Sequence, residues 1–312
     1  MAYTHVSVML AEVLAHLDLQ RGKVCVDGTL GGAGHAREIA RRILPGGVLI
    51  GLDRDPAAIA HGRTLLADFE SGIHLIQGNF GDIPNILNQL KLSAVDGILL
   101  DLGISRYQLL DSGRGFSFRA DEPLDMRMDP GGATTAADLV NALDFKELRA
   151  TLKNYGEEHQ AGRIAGAIVS ARQAGPIRTS RQLADIVVGA LGPGRQRAKR
   201  IHPATQTFMA LRIAVNRELE TISRCMTQVD QWLNPGGRLC VIAFHSLEDR
   251  IVKHGLRTLA QGCRCPKELP KCVCGQTPRL RLVSKKAIKP SAAEIAANPL
   301  ARSARLRVAE KI

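Results

Sequence analysis

Small residues packed between two carboxylates carry the first chemical signal in this chain. The stretch "VDGTLGGAGH" (26–35) sets Gly28, Gly31, Gly32, Ala33 and Gly34 directly after the apolar run "KVCV", with Asp27 at their head. Glycine weakens the interior of a regular element, so such a cluster marks a turn where backbone must approach something closely. Nineteen residues beyond Gly34, at the end of the next apolar run, stands Asp53. A glycine loop after one strand and an acid ending the next is a nucleotide-binding pairing. The loop admits the ligand to the backbone, and the acid hydrogen-bonds ribose hydroxyls. The alternative is a tight turn with a helix cap, and the co-occurrence of loop and acid argues against it.

The glycines do not follow a regular G-x-G-x-x-G, and Asp27 precedes them. That carboxylate would repel a pyrophosphate but not a sulfonium or an ammonium group. S-adenosyl-L-methionine is therefore favoured over NAD. Phe80, ending a third apolar run, is placed to lie on an adenine face or to serve as a core residue. Asp101 ends a fourth run in "DLGISRYQ", which also contains Gln108, and is the candidate catalytic carboxylate at the meeting point of cofactor and substrate. His245, Ser246 and Asp249 in "FHSLEDR" follow a fifth run and are candidates to face a target base. His245 is equally readable as a hydrogen-bonded structural histidine.

Charge points to the partner. The chain has 42 Lys and Arg against 30 Asp and Glu, a net charge of +12, which suits a polyanion. No Asp or Glu occurs from Ile186 to Arg217, where Arg195, Arg197, Lys199, Arg200, Arg212 and Arg217 all fall. This stretch reads as an RNA-facing surface, with Arg195, Arg197, Lys199 and Arg200 its candidate phosphate contacts. Cys263, Cys265, Cys272 and Cys274 lie in "CRCPKELPKCVC". Their C-x-C pairs are tighter than usual structural zinc spacing, so a reduced surface hairpin without metal is expected. The start shows no basic leader with a cleavage site, and no apolar run is long enough to span a bilayer, so a cytoplasmic protein is expected.

The elements that must position these residues follow from periodicity. "KVCVDGT" (23–29), "GGVLIGLDRD" (46–55), "IHLIQGNF" (73–80), "VDGILLDLG" (95–103) and "GGRLCVIAFHS" (236–246) are continuous apolar runs, as in parallel strands buried on both faces. Helix-length segments between the first four imply right-handed βαβ units and an open α/β sheet. From about residue 106 to 205 amphipathic, alanine-rich segments replace the strands. The expected organisation is a discontinuous sheet domain, 1–105 with 206–312, and an inserted all-helical substrate-recognition domain, 106–205. The stripe Phe208, Leu211, Val215, Leu219 and Ile222 in "TFMALRIAVNRELETI" predicts one helix returning the chain to the sheet. "RLRLVSKKAI" and "SARLRVAEKI" predict a closing antiparallel pair.

Several of these motifs, with "HVSVMLAEVL", "PLDMRMD", "YGEE", "HPATQTFMALRIAVNRELE", "PGGRLCVIAFHSLEDRIVK" and "NPLARSARLRVAEK", run collinearly from His5 to Lys311. Together they resemble the bacterial 16S rRNA (cytosine-N4)-methyltransferase family, MraW/RsmH. The resemblance implies a class I, Rossmann-like methyltransferase sheet with a helical insert. It also implies methyl transfer from S-adenosyl-L-methionine to the exocyclic N4 of a decoding-region cytidine, with 16S rRNA in the small ribosomal subunit as partner. The family's cofactor positions fall on Ala33, Gly34, His35, Asp53, Phe80, Asp101 and Gln108. Some members carry glycine where this chain has Ala33, and many carry Ser-Pro where it has Arg106-Tyr107. An NAD-dependent oxidoreductase and a non-catalytic RNA-binding assembly factor are the competing classes, and a homodimer stays open.

Overall fold

The computed structural model describes residues 7–69, 71–192, 202–263, 265 and 273–312. They fall into two compact units, Met1–Gly103 with Leu219–Ile312, and Ile104–Glu218. The first unit opens with α1 (Leu10–His16), β1 (Val24–Asp27), α2 (Gly34–Ile43), β2 (Val48–Asp53), α3 (Pro56–Leu65), β3 (Ile73–Gln77), α4 (Ile83–Gln89) and β4 (Val95–Asp101). The second contains α5 (Arg106–Leu110), α6 (Ala136–Ala142), α7 (Phe145–Gly156), α8 (Ala161–Ala171), α9 (Ser180–Leu191) and α10 (Thr205–Asn216). After α11 (Glu218–Gln228) the first unit closes with β5 (Leu233–Ala243), α12 (Ser246–Ala260), β6 (Leu280–Leu282), α13 (Ala292–Ala297) and β7 (Arg305–Lys311).

The seven strands form one sheet in the order β3-β2-β1-β4-β5-β7-β6. The first five are parallel, while β7 runs antiparallel to both β5 and β6, the closing pair expected from the two terminal motifs. Strand order reverses between β1 and β4, and a ligand site is expected beyond the carboxyl ends there. Successive strand residues bury opposite faces. Ile50, Ile98, Leu100 and Val241 pack with α4, α11 and α12 through Ile86, Ile222 and Val252. Leu49, Leu99, Cys240 and Ile242 pack with α1, α2 and α3 through Val13, Ile39 and Ile59. Burial on both faces is why these strands read as continuous apolar runs rather than alternating ones.

The helical unit has its own core, including Leu148, Leu152, Ile164, Ile168, Leu183 and Val187. The single helix expected over 207–222 is two helices. Arg217 adopts a left-handed φ of 51° and ends α10. Phe208 and Leu211 therefore lie in the helical core and Ile222 in the sheet core. One apolar stripe is shared between two cores, which a break at a single residue makes possible. No helix among the described residues is long and apolar enough to cross a membrane.

Candidate functional site

The glycine loop is fastened at several points to the strands beside it. Asp53, the last residue of β2, accepts a hydrogen bond from the Gly31 amide at 2.8 Å and from the Asp55 amide at 2.9 Å. Burial raises the Asp53 carboxyl to about 6, and the two amides hold back part of that rise. Leu30 donates its amide to the Leu52 carbonyl at 2.8 Å. Its side chain occupies the room that a Cβ would take at Gly51 and Gly62, coming within 2.9 and 2.7 Å of those positions. At Gly28 a Cβ would meet Leu100 at 2.6 Å and the Phe80 Cβ at 3.0 Å, so this glycine is required by packing between strands. Gly31 and Ala33 both adopt left-handed φ, at 49° and 56°, and Ala33 is the residue before α2. The turn into α2 presents backbone rather than side chains.

Asp101 ends β4 beside this loop. Its amide donates to the Thr29 hydroxyl at 2.6 Å, and the Thr29 amide donates to Asp27 Oδ1 at 3.2 Å. Thr29 thus couples the two acids. Among the described residues, Asp27 Oδ2 and Asp101 Oδ1 are buried and accept no hydrogen bond. Burial raises the Asp27 carboxyl to about 7, helped by the nearby Asp53 charge. Burial also holds Asp101 well above the usual carboxylate range, reinforced by the charges of Asp27 and Glu248. His35, early in α2, places Nδ1 3.7 Å from Asp101 Oδ2, and its Nε2 is 3.0 Å from the Val8 carbonyl.

A buried oxygen without a partner costs about 1–3 kcal/mol, so two at adjacent strand ends describe a place prepared for a ligand. The donor set fits S-adenosyl-L-methionine: carboxylates suit its cationic sulfonium and ammonium, Asp53 suits ribose hydroxyls, and the loop is built of small residues that carry little side chain. When bound, that group supplies an activated methyl. Phe80 begins a short 3₁₀ turn, Phe80–Asp82, after β3 and is partly buried against the sheet core next to Gly28. The structure thus brings Ala33, Gly34, His35, Asp53, Phe80 and Asp101 to one edge of the sheet unit.

Gln108 belongs to the helical unit. It is buried in α5, where its side chain accepts from the Ser105 amide at 3.1 Å and its amide donates to the Ser105 hydroxyl at 3.1 Å. Arg106-Tyr107 therefore lies in a capped helical turn, an arrangement open to any residue pair that tolerates helical backbone.

The candidates after β5 are engaged differently. His245 caps α12, its Nε2 3.1 Å from Glu248 Oε1. Glu248 is 0% exposed and accepts from the Phe244 amide at 2.8 Å. The Glu248 amide donates to His245 Nδ1 at 3.5 Å, and Ser246 beside it is exposed. Asp249, considered as base-facing, is instead held by Arg307 through two hydrogen bonds of 2.7 and 3.0 Å. Arg212, counted in the basic stretch, is paired with Glu218 through bonds of 2.9 Å each and is turned inward. Arg195, Arg197, Lys199 and Arg200 lie outside the described residues. Sequence reasoning missed Thr29, Leu30 and Glu248. The "DGT" motif held a signal for Thr29, since a hydroxyl beside a strand-end acid can bridge to the next strand.

Five parallel strands in this order, an antiparallel β7 and a glycine loop flanked by strand-end acids define a class I methyltransferase, with S-adenosyl-L-methionine as its methyl donor. The sequence profile of the MraW methylase family matches residues 2–312, and the chain belongs to that family. It is 53% identical over 312 residues to "Ribosomal RNA small subunit methyltransferase H" of Geobacter sulfurreducens, covering 100% of both chains. The protein of the same name from Desulfosudis oleivorans is 51% identical over 312 residues, again covering 100% of each. Membership in a methylase family removes the NAD-dependent oxidoreductase reading.

Proposed function

We propose that this methyltransferase modifies the exocyclic N4 of a decoding-region cytidine in 16S rRNA, within the small ribosomal subunit. Full-length likeness to enzymes named for the small ribosomal subunit supports S-adenosyl-L-methionine-dependent rRNA methylation. The N4 specificity rests on chemistry. Cytosine N4 is a poor nucleophile because its lone pair is delocalised into the ring, so it must be aligned with the methyl carbon and relieved of a proton. The observation that carries this reading is Asp101: a strand-end carboxyl with one oxygen accepting no hydrogen bond and an ionisation held well above the ordinary range. Such a carboxylate, once ionised, is a better proton acceptor than an exposed one. Asp101 takes the departing amino proton and fixes N4 in line, and Thr29 holds Asp101 in place.

Ala33, Gly34, His35, Asp53, Phe80 and Gln108 complete the cofactor site in this proposal. The base must leave its stack to reach a buried methyl donor. The inserted helical domain shapes the RNA cleft, Arg195, Arg197, Lys199 and Arg200 hold the flanking phosphates, and His245 with Ser246 borders the base. The enzyme acts in the cytoplasm. The test is to incubate small subunits with labelled S-adenosyl-L-methionine and map the product by mass spectrometry. N4-methylcytidine at one decoding-region position supports the proposal; label on another atom or another RNA overturns it. Replacing the four cations by Ala should leave cofactor binding intact. It should make the salt dependence of RNA binding shallower, by up to about 0.7–0.9 in slope per lost phosphate contact.

A further inference from the structure

The six cysteines among the described residues divide into two environments. Cys25, Cys225 and Cys240 are buried in the two cores of the sheet unit, where burial pushes all three thiols upward, Cys25 and Cys225 to about 12. They behave as small apolar side chains. Cys263, Cys265 and Cys274 lie instead between α12 and β6, exposed or half-buried and outside any disulfide. Their three Sγ atoms all lie within 4.8 Å of one another, although the residues are up to 11 positions apart.

Three features make this more than chance proximity. First, Cys263 Sγ and Cys274 Sγ are 3.7 Å apart. That is far beyond a disulfide bond of about 2.05 Å. It matches the edge of a tetrahedron, about 3.8 Å, drawn by zinc–sulfur bonds of about 2.3 Å. Second, backbone amides point at sulfur: the Cys265 amide lies 3.4 Å from Cys263 Sγ, and the Val273 amide 3.3 Å from Cys265 Sγ. These contacts fix the two sulfurs relative to the backbone. Third, the described residues of this segment have no apolar means of holding themselves. Among its described residues none belongs to a hydrophobic core, and Val273 is 79% exposed. Its ends are nevertheless fixed, because the Arg279 amide donates to the Leu259 carbonyl at 2.8 Å. Short segments without a core are commonly closed by a metal or a disulfide.

We infer that Cys263, Cys265 and Cys274 form a structural zinc site that closes the chain between α12 and β6, separate from the methyl-transfer site. The tight C-x-C spacing argued against zinc in sequence, because the usual two to four intervening residues let one hairpin turn present both thiols. Here the convergence comes from the fold, which brings Cys274 back to Cys263 across the closed base. Soft thiolates select zinc over hard cations such as magnesium. Cys272 lies outside the described residues, and the inference stands on the other three thiols.

The test uses the full chain, expressed with zinc in the medium and purified reduced without chelator. Elemental analysis should find about one zinc per chain. The triple variant Cys263→Ser, Cys265→Ser, Cys274→Ser should lose that zinc while still binding S-adenosyl-L-methionine. A second measurement needs no variant: wild-type protein loaded with cobalt(II) should show the intense d–d and sulfur-to-metal charge-transfer bands of a tetrahedral thiolate site. The inference is overturned if wild type holds no more zinc than the triple variant, if iron is found in its place, or if cobalt gives only the weak bands of six-coordinate oxygen ligation.

Discussion

The strand ends of the sheet unit and the helical unit treat their carboxylates in opposite ways. At the strand ends of the sheet unit, burial pushes Asp27, Asp53 and Asp101 upward, and two of these acids keep a buried oxygen that accepts no hydrogen bond among the described residues. In the helical unit the neighbouring groups bring Asp125 and Asp138 below the ordinary range. Burial alone would raise Asp125, but Arg127 outweighs it with side-chain bonds of 2.8 and 2.7 Å. Thr135 does the same for Asp138 within a capping box. Buried Glu158 accepts from the Gln160 amide at 2.8 Å, and Glu218 is clasped by Arg212. The helical unit spends its charges on its own structure. The sheet unit leaves two carboxyl oxygens unanswered at its strand ends, and such local inconsistency is expected of a functional site.

This contrast can be broken most forcefully at Asp101. Asp101→Asn keeps the shape but removes the charge and most of the basicity. Under saturating cofactor and subunit, the single-turnover methylation rate should fall by about 10²–10⁴-fold, the span of general acid–base catalysis. The unfolding midpoint of the cofactor-free protein should not fall, because a like charge beside Asp27 and Glu248 has been removed. A normal rate would leave Asp101 as a binding residue only.

Arg212→Ala should behave in the reverse manner. It strands the Glu218 carboxylate in a buried position, at a cost of about 3–5 kcal/mol in stability. Chemical denaturation should reveal the loss. The Kd for S-adenosyl-L-methionine, measured by calorimetry well below the new midpoint, should change little. Asp53→Ala ranks next, weakening cofactor binding by about 1–3 kcal/mol through lost charge-assisted hydrogen bonds. An unaltered Kd in a folded Asp53→Ala protein would remove this acid from the site.

How far these roles were visible in the sequence depends on the distance over which each is built. The strands, the glycine loop and the strand-end positions of Asp53 and Asp101 were legible because their signals are local: an apolar run, a turn composition, an acid at a strand end. The five parallel strands appear where the apolar runs lie, within a few residues. The Asp249–Arg307 pair was not legible, because its partners lie 58 residues apart and meet only through the β5–β7 pairing. Nor was the break at Arg217, since the apolar stripe continues through it and only the backbone records the change. The convergence of Cys263 with Cys274 is of the same kind, set by where α12 ends and β6 begins.

The smallest expected effect sharpens the comparison through pH. An unfolded Asp ionises near 3.9, whereas Asp27 in the folded, cofactor-free protein is held at about 7. Between these values the folded state keeps a proton that the unfolded state has lost, so stability falls as pH rises. Asp53, raised to about 6, and Asp101, raised further than ordinary carboxylates, act with the same sign. Asp125 and Asp138 act oppositely, but they withdraw their contribution only as pH drops through the lower carboxylate range. The cofactor-free unfolding midpoint should therefore decline between about pH 5 and 7. Asp27→Asn should flatten the decline. Saturating S-adenosyl-L-methionine should flatten it as well, because a cation favours the ionised acids. S-adenosylhomocysteine retains the ammonium but lacks the sulfonium charge, and should flatten it less. Equal flattening by both ligands would mean that the acids answer the ammonium alone, and that the sulfonium lies away from Asp27 and Asp101.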